Sequence, residues 1–289
     1  MSAALEVVRA GVRTTVQDLG RPGLAHLGVP RSGAADAGAL RLANRLAGNP
    51  PEAAGLEILL GGARLRATRS ATLAVTGAPC TVTVDGRPAD PGFPLAVPAG
   101  ALIVLGRATA GLRVYLAAAG GIAVPPVLGS RATDTLSGLG PGQVRDGDVL
   151  PLGPVTGPPP AVDLAPYPRP AGALRLRVWP GPRDDWFTPA ALATLFTAEY
   201  RVSAATDRVG ARLTGPELTR AVGGELPSEG LVLGAIQVPA NGQPLIFLAD
   251  HPTTGGYPVI GVVDPADVDL IGQARPGTEI RFSPTAGYT

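Results

Sequence analysis

The chain has 289 residues and a formal net charge of +1, enough for one large or two medium domains that bury a core without disulfides. It contains no lysine, so all 24 basic side chains are arginines, and the near-neutral charge gives no electrostatic case for nucleic-acid binding. The missing lysine excludes a Walker A phosphate loop, a Schiff-base enzyme, a protein kinase with its strand lysine, and attachment of biotin to this chain.

The sequence also argues against a metalloprotein, a disulfide-bonded protein and a membrane protein. The single cysteine, Cys80, excludes an internal disulfide and a CxxC metal site, and the two histidines, His26 and His251, are too few for a multi-histidine zinc site. The N-terminus lacks the pattern of a signal peptide, and no apolar stretch approaches the roughly 20 residues of a membrane span. We therefore expect no metal and no membrane span, and a cytoplasmic protein.

The predicted elements are mostly short strands. Glycine and proline, with 40 and 32 residues, make up about a quarter of the chain, well above the usual share, while 45% of residues are hydrophobic. That combination is typical of strands joined by tight turns. Hairpin turns are predicted at Asp85-Gly86, Asp146-Gly147 and Asn241-Gly242, since such pairs favour type I′ turns.

Helices are predicted to be few and short. The first covers 34–47, with Ser32 as its N-cap and Asn49-Pro50 after its end. Thr188-Pro189 and Asp264-Pro265 each begin a further helix with a cap followed by proline at the first position. Residues 216–222 are expected to add one or two helical turns.

Domain boundaries follow from a proline-rich run. Residues 154–172 lack hydrophobic periodicity and predict an extended connector. It separates an N-terminal β-rich lobe, residues 1–153, from a C-terminal β-rich lobe, residues 173–289. The fold class predicted is mainly β with a few short helices, a β-rich α+β chain.

The first candidate site is the polar Gly/Pro loop after residue 14. Arg21 could clamp a carboxylate or phosphate, Asp18 or Asp36 could act as a base, and His26 could act as a general acid or base. Gln17 and Ser32 add an amide and a hydroxyl. The alternative is a structural loop in which Asp18 caps turns and pairs with Arg21.

The second candidate site follows the strand predicted at 244–248. Asp250 ends that strand, and Thr253, Thr254, Gly255 and Gly256 follow closely before Tyr257. Successive N–H groups in a Gly-Gly turn can form an anion-binding nest. The alternative is a plain turn in which the two glycines supply positive φ.

The third candidate site contains isolated charges. Arg208 beside Asp207 is interpreted either as a binding group or as an exposed local ion pair worth under about 1 kcal/mol. Glu229 is either a structural residue or a loop carboxylate whose pKa would be raised if it were buried. Glu57 within an apolar strand either faces outward or is the buried partner of an arginine.

No GxSxG, HExxH or GxGxxG motif is present, but the same loops resemble a known family. The stretch Thr14–Gly23, the segment Gly28–Asp36, Ala43–Pro50, Leu56-Glu57, and the C-terminal stretches 203–210, 229–230, 234–244 and 250–258 are similar to the biotin-dependent carboxyltransferase family, also called the allophanate hydrolase subunit 2 family. Stand-alone members of this length resemble the C subunit of 5-oxoprolinase.

The resemblance implies a fold and a function. It implies two cyclophilin-like β-barrel lobes, the B and A subunits of a 5-oxoprolinase as partners, and ATP, bound together with the partner. The activity implied is ATP-dependent opening of a lactam, 5-oxoproline, to L-glutamate. The expected catalytic residues are Asp18, Arg21, His26 and Asp250. The expected substrate-binding residues are Gln17, Ser32, Asp36, Arg208, Glu229, Gln237, Thr253, Thr254, Gly255, Gly256 and Tyr257.

Two alternatives remain from the resemblance. The chain could be the carboxyltransferase component of a biotin-dependent urea or amide carboxylase, with biotin delivered from another protein because this chain has no lysine. It could instead be a regulatory module that binds a kinase-inhibitor partner.

Overall fold

The structure is a computed structural model that describes residues 3–155, 157, 172–224 and 226–285. Backbone packing divides the chain into two compact units. The first unit comprises Met1–Arg21 and Ser32–Pro170, and the second comprises Pro22–Arg31 and Ala171–Thr289. Most of the predicted connector at 154–172 lies outside the described residues, and the sequence-based domain boundaries stay a prediction.

The first unit contains eleven described strands and one helix. They are β1 (Ala4–Arg9), β2 (Arg13–Gln17), α1 (Ala37–Ala47), β3 (Gly55–Leu59), β4 (Arg64–Ala67), β5 (Ala71–Gly77), β6 (Val82–Val84), β7 (Arg87–Ala89), β8 (Leu95–Val97), β9 (Leu102–Leu105), β10 (Arg113–Ala118) and β11 (Val149–Pro151). A six-stranded sheet has the order β11-β1-β4-β9-β6-β7, and a five-stranded sheet has the order β2-β3-β10-β5-β8.

One hydrophobic core joins the two sheets of the first unit. Leu65 and Ile103 of the six-stranded sheet and Leu56 and Val114 of the five-stranded sheet belong to the same buried cluster. Side chains alternate between the two faces of a strand, so the other face of the five-stranded sheet needs its own cover. Helix α1 provides it, burying a separate small cluster that includes Leu46.

The second unit contains nine described strands and two α-helices. They are β12 (Ala173–Pro180), α2 (Pro189–Thr197), β13 (Tyr200–Val202), β14 (Gly210–Thr214), β15 (Glu229–Gly230), β16 (Ala235–Gln237), β17 (Leu245–Phe247), β18 (Thr254–Gly255), β19 (Val259–Val263), α3 (Pro265–Gly272) and β20 (Glu279–Pro284). One-turn 3₁₀ helices lie at Ala25–Leu27 and Asp184–Trp186.

Seven of these strands close into a barrel. Its order is β12-β19-β16-β17-β14-β13-β20, and it closes where β12 runs parallel to β20, with Leu176 opposite Phe282. The interior is filled by aliphatic side chains and by the tilted ring pair of Tyr200 and Phe282, 5.7 Å apart. Burial raises the pKa of Tyr200 to about 12. The barrel is therefore a packed core.

The expected mainly β class with a few short helices is confirmed. Among the described residues, no helix is both long and apolar enough to cross a membrane. The hairpin at Asp85-Gly86 is also confirmed, with φ of 48° and 76° joining β6 and β7. So is the connection around Asn241-Gly242, which joins the antiparallel strands β16 and β17.

The predicted hairpin at Asp146-Gly147 is wrong. Strand β11 pairs with β1, and residue Val144 bridges Thr14. The turn is closed by a 3.2 Å hydrogen bond from the N–H of Asp148 to the carbonyl of Arg145, and an Asp146 carboxylate oxygen accepts a 2.7 Å hydrogen bond from the backbone N–H of Ala10. A turn signal in the sequence thus identified the bend but not the strand partners.

The helix predictions have mixed outcomes. Helices α2 and α3 begin as expected, with Thr188 and Asp264 as N-caps. Helix α1 begins at Ala37 with Asp36 as its cap, because Ser32 has a left-handed φ of 53° that no helix start accommodates. Residues 216–222 form no helix.

The cap of α2 gives a test of the second unit. The Thr188 hydroxyl accepts a 3.1 Å hydrogen bond from the N–H of Ala191, so Thr188→Ala should lower the free energy of unfolding by about 1 kcal/mol. Both tryptophans of the chain, Trp179 and Trp186, lie in this unit, so tryptophan fluorescence in urea follows its unfolding. The matched control is Thr197→Ala at the exposed end of the same helix, for which we expect a change below about 0.5 kcal/mol. Equal effects of the two substitutions would contradict the capping role.

Candidate functional site

Asp18 organises the loop that follows β2. Its Oδ1 atom accepts hydrogen bonds from the N–H of Gly20 and the hydroxyl of Ser130, each at 2.7 Å. Its Oδ2 atom accepts one from the N–H of Arg131 at 2.6 Å. A carboxylate with three donors is held in place, so this geometry favours a positioning role for Asp18 rather than that of a free base.

Gln17 and Ser32 meet at one backbone carbonyl. The Gln17 side chain donates from Nε2 to the carbonyl of Thr133 at 2.9 Å and to the Thr15 hydroxyl at 3.0 Å. The Ser32 hydroxyl donates to the same Thr133 carbonyl at 3.3 Å. Gln17, Ser32 and Thr133 are all buried, so these two predicted binding residues are brought together.

Arg21 completes the group. Its guanidinium donates from Nη2 to the carbonyl of Ala132 at 2.6 Å and from Nε to the carbonyl of Val127 at 3.4 Å. The alternative that Arg21 pairs with Asp18 is wrong, because the Asp18 oxygens are bonded to Gly20, Ser130 and the N–H of Arg131. We call Gln17, Asp18, Arg21, Ser32 and residues 130–133 the loop cluster.

Gly33 makes the loop cluster possible. Its φ of 101° is strained for a residue with a side chain, and a Cβ there would lie 2.8 Å from the backbone of Leu19 and Gly20. The N–H of Ala34 donates to the carbonyl of Asp18 at 2.9 Å. The chain therefore returns to the first unit at a point fixed against the end of β2.

The buried carboxylate of Glu57 also holds the segment that follows Gly33. The carboxylate of Glu57 on β3 accepts three hydrogen bonds. They come from Nε–H of Arg113 at 3.2 Å, the hydroxyl of Tyr115 at 2.7 Å and the backbone N–H of Ala35 at 2.9 Å. The Tyr115 hydroxyl accepts the N–H of Asp36 at 2.8 Å. The interpretation of Glu57 as the buried partner of an arginine is confirmed.

This environment also sets the chemistry of Tyr115 and Asp36. Burial, and then the charges of Glu57 and Asp36, raise the pKa of Tyr115 well above its ordinary value, so the phenol stays protonated. Asp36, expected to bind substrate, uses a carboxylate oxygen to cap α1 through the N–H of Ala39 at 2.8 Å. Its observed contacts are those of a helix cap.

The second unit holds a buried ion pair. Arg208 donates from Nε and Nη2 to the two oxygens of Asp250 at 2.9 and 3.0 Å, and the side chains are 3% and 0% exposed. The alternative of an exposed pair with Asp207 is wrong, since Asp207 accepts from the N–H groups of Val209 and Gly210. Two predicted site residues are thus brought together, in a geometry that stabilises the barrel.

Glu229 is paired and partly exposed. It begins β15 and forms a two-pronged ion pair with Arg183. Hydrogen bonding from Arg183 holds the pKa of Glu229 below its ordinary value. Burial, the condition for a raised pKa of this carboxylate, is not met, because the side chain is partly exposed and paired with Arg183.

The Gly255-Gly256 segment is not a nest, since Gly255 ends the short strand β18 and Gly256 follows it in a bend. Neither glycine has a positive φ, and β18 pairs with β15, Gly255 opposite Glu229. A Cβ at Gly255 would lie 2.8 Å from Nε2 of Gln237, and that nitrogen donates to the carbonyl of Tyr257 at 2.9 Å. Close approach of the backbone, not an unusual φ, explains this glycine.

The remaining predicted residues contact other segments of the second unit. Thr253 accepts the N–H of Leu231 through its carbonyl, and Thr254 is exposed in β18. The exposed ring of Tyr257 lies 5.7 Å from the guanidinium carbon of Arg220. Each of these residues keeps an exposed or half-buried side chain.

The two histidines differ in exposure, and each has its Nδ1 atom close to a backbone carbonyl. His26 is exposed in the first 3₁₀ helix, with Nδ1 3.1 Å from the carbonyl of Gly23. His251 is buried, with Nδ1 2.8 Å from the carbonyl of Pro252. Across the described ranges, no three acidic, histidine or cysteine side chains group as metal ligands. Burial raises the pKa of Cys80 to about 11, which argues against a thiolate nucleophile near neutral pH.

Sequence reasoning missed the polar partners of the loop cluster. Ser130, Arg131 and Thr133 lie between Gly129 and Asp134, a stretch as rich in hydroxyls and charges as the loop selected at 14–36. That density was an available signal. The sequence around Arg113 and Tyr115 contained no such signal. Their contacts with Glu57 depend on the pairing of β10 with β3.

The buried pair in the second unit gives a test. Asp250→Ala would leave the Arg208 guanidinium buried without its carboxylate, so we expect a loss of about 3–5 kcal/mol in the free energy of unfolding. Glu199→Ala, which removes an exposed partner of Arg201 and Arg281, should cost less than about 1 kcal/mol. Tryptophan fluorescence in urea measures both variants, and a small effect at Asp250 would show that the pair does not stabilise the fold.

Known proteins match this chain over nearly its whole length. The family described as carboxyltransferase domain, subdomain A and B, matches residues 27–284. The C subunit of 5-oxoprolinase from Escherichia coli (strain K12) is 39% identical over 281 residues, which is 96% of this chain and 90% of that protein.

Solved structures agree. The crystal structure of TTHA0988 has a TM-score of 0.89 and 41% identity over 98% of this chain, which spans 56% of that longer chain. The K. lactis urea amidolyase has a TM-score of 0.90 and 32% identity over 98% of this chain, which spans 19% of it. The resemblance that the sequence motifs predicted is confirmed, and the chain belongs to the carboxyltransferase-domain family, with similarity to the C subunit of 5-oxoprolinase over most of its length.

Proposed function

We propose that this chain is a component of an ATP-dependent 5-oxoprolinase of the cytoplasm. It acts with the B subunit to bind and activate the lactam, and the A subunit completes ring opening to L-glutamate. The observation that carries the proposal is the degree of similarity: the C subunit of the E. coli 5-oxoprolinase is 39% identical to this chain over 281 residues. The K. lactis urea amidolyase is 32% identical to this chain.

ATP answers a chemical need of this reaction. A lactam is a poor electrophile, and transfer of the γ-phosphoryl group to its oxygen, with release of ADP, makes the ring carbon reactive. One water then adds to that carbon and the ring nitrogen departs as the amine, and a second water removes the phosphoryl group as phosphate. Because this chain has no lysine, arginine, backbone N–H groups, hydroxyls or the partner protein must neutralise the phosphate charge.

The residues divide by their contacts. Gln17 and Arg21 are proposed to contact substrate, since each keeps a buried polar atom free of protein partners. Asp18 and Asp250 are proposed to position the loop and the barrel, because their carboxylates are fully engaged. ATP is proposed to bind together with the B subunit.

A second candidate function rests on the urea amidolyase match. The chain would then be a carboxyltransferase component of a biotin-dependent urea or amide carboxylase. The carboxylated biotin would arrive on another protein, since no lysine here can carry it.

The decisive measurement is ATP hydrolysis by this chain mixed with the B and A subunits. We expect phosphate release that depends on 5-oxoproline. Arg21→Lys keeps the charge but removes the planar guanidinium, and we expect turnover to fall at least about tenfold. Arg66→Lys, at an exposed arginine of the same unit, should turn over like the unchanged chain.

Three outcomes separate the candidate functions. Full turnover by Arg21→Lys in an assembled complex would contradict the site assignment. No lactam-dependent hydrolysis, with carboxylation of urea from a carboxylated biotin carrier, would favour the second function. Assembly with the B subunit and neither activity would favour a regulatory binding module.

A further inference from the structure

Unpaired polar atoms concentrate in the loop cluster. Among the described residues, five buried side-chain polar atoms have no hydrogen-bond partner: Gln17 Oε1, Arg21 Nη1, Thr133 Oγ1, Tyr200 Oη and Arg220 Nε. Three of the five belong to the loop cluster, on side chains that are at most 6% exposed. Folded proteins pair nearly all such groups, so this concentration indicates a place prepared for a ligand.

The three side chains are anchored side by side. Arg21 donates to the carbonyl of Ala132, and Gln17 donates to the carbonyl of the next residue, Thr133. The Thr133 side chain therefore belongs to the same two-residue segment that fixes the other two. The unpaired atoms of Gln17 and Arg21 share an amide or a guanidinium group with nitrogens that lie 2.9 and 2.6 Å from two consecutive carbonyls, so all three unpaired atoms lie near the 132–133 segment.

Whether each unpaired atom can donate or accept a hydrogen bond follows from its chemistry and its neighbours. The Thr133 carbonyl can only accept, so the Gln17 atom facing it is the NH₂ group, and the unpaired Oε1 is an acceptor. Arg21 Nη1 can only donate. The Thr133 hydroxyl can do either, so the set needs a ligand that both accepts and donates.

An amide group matches this set. Its carbonyl oxygen accepts from Arg21 Nη1 and the Thr133 hydroxyl, and its N–H donates to Gln17 Oε1. A carboxylate or phosphate oxygen would suit the arginine but would place negative charge against the Gln17 oxygen. Such a set would favour an uncharged amide over an anion.

We propose that Gln17, Arg21 and Thr133 form the recognition site for the ring amide of a lactam, with Thr133 as a specificity residue that reads its carbonyl. The inference rests on the proposed function for its choice of a lactam among amides. The proposal names the atoms that would contact the N–H and C=O groups of the lactam. It also gives a binding role to Thr133, which no sequence motif had suggested.

The first test compares two ligands of one shape. Calorimetry on the full chain should show saturable binding of 2-pyrrolidinone, and binding of γ-butyrolactone should be weaker by about tenfold or more. The lactone has a ring oxygen in place of the N–H, so it leaves Gln17 Oε1 unpaired. Equal affinity for the two rings, or no saturable binding of 2-pyrrolidinone because the atoms hold only water, overturns the proposal.

The second test uses a matched pair of threonines in the first unit. Thr133→Val removes a hydroxyl without a protein partner, so the folded chain should keep its stability while affinity for 2-pyrrolidinone falls about tenfold. Thr76→Val removes a buried hydroxyl that donates to the carbonyl of Ala39 at 2.7 Å. That variant should lose stability and keep its affinity. Unchanged affinity in Thr133→Val overturns the proposal.

The proposed function and the recognition site fail separately. Lactam-dependent ATP hydrolysis that persists unchanged in Thr133→Val would leave the proposed function intact and overturn the recognition site. Absence of that hydrolysis in the complex, together with N–H-selective binding that requires Thr133, would overturn the proposed function and support the recognition site.

Discussion

The carboxylate of Asp18 is the interaction on which the candidate site depends. Its two oxygens bind the chain just after β2 to Ser130 and Arg131, which are more than 100 positions away in sequence. Because a buried carboxylate must be neutralised or fully hydrogen-bonded, this anchor fixes the 130–133 segment. Arg21 and Gln17 then donate hydrogen bonds to the carbonyls of this segment. The backbone carbonyl of Asp18 also accepts a hydrogen bond from the N–H of Ala34.

Each unit contains a buried carboxylate that is paired with an arginine. Arg113 with Glu57 and Arg208 with Asp250 are each nearly inaccessible to solvent. A guanidinium presents several N–H groups in a fixed plane, so it can satisfy a carboxylate and still reach a neighbouring acceptor. The absence of lysine therefore does not weaken the buried pairs, since arginine is the side chain suited to them.

Local features of the fold could be predicted from the sequence, while long-range partners could not. The caps Thr188 and Asp264 and the turn at Asp85-Gly86 depend on neighbouring residues, and each has the expected structure. The strand after Gly147 pairs with β1, and no nearby residue encodes that choice. At the site, polar composition identified Gln17 and Arg21, and the similar density at 130–134 was overlooked, but the contact between Gln17 and the Thr133 carbonyl depends on the fold.

The parallel pairing of β12 with β20 has a consequence for how the second unit is made. These strands, Ala173–Pro180 and Glu279–Pro284, are its first and last described strands, so on a ribosome the barrel cannot close until residues 279–284 have emerged. Until then the edges of β12 and β13 that β20 would cover remain open to pairing with other chains. Closing a loop of about 100 residues also slows folding. A truncation shortly before β20 would therefore be expected to cause aggregation during synthesis rather than a modest loss of stability.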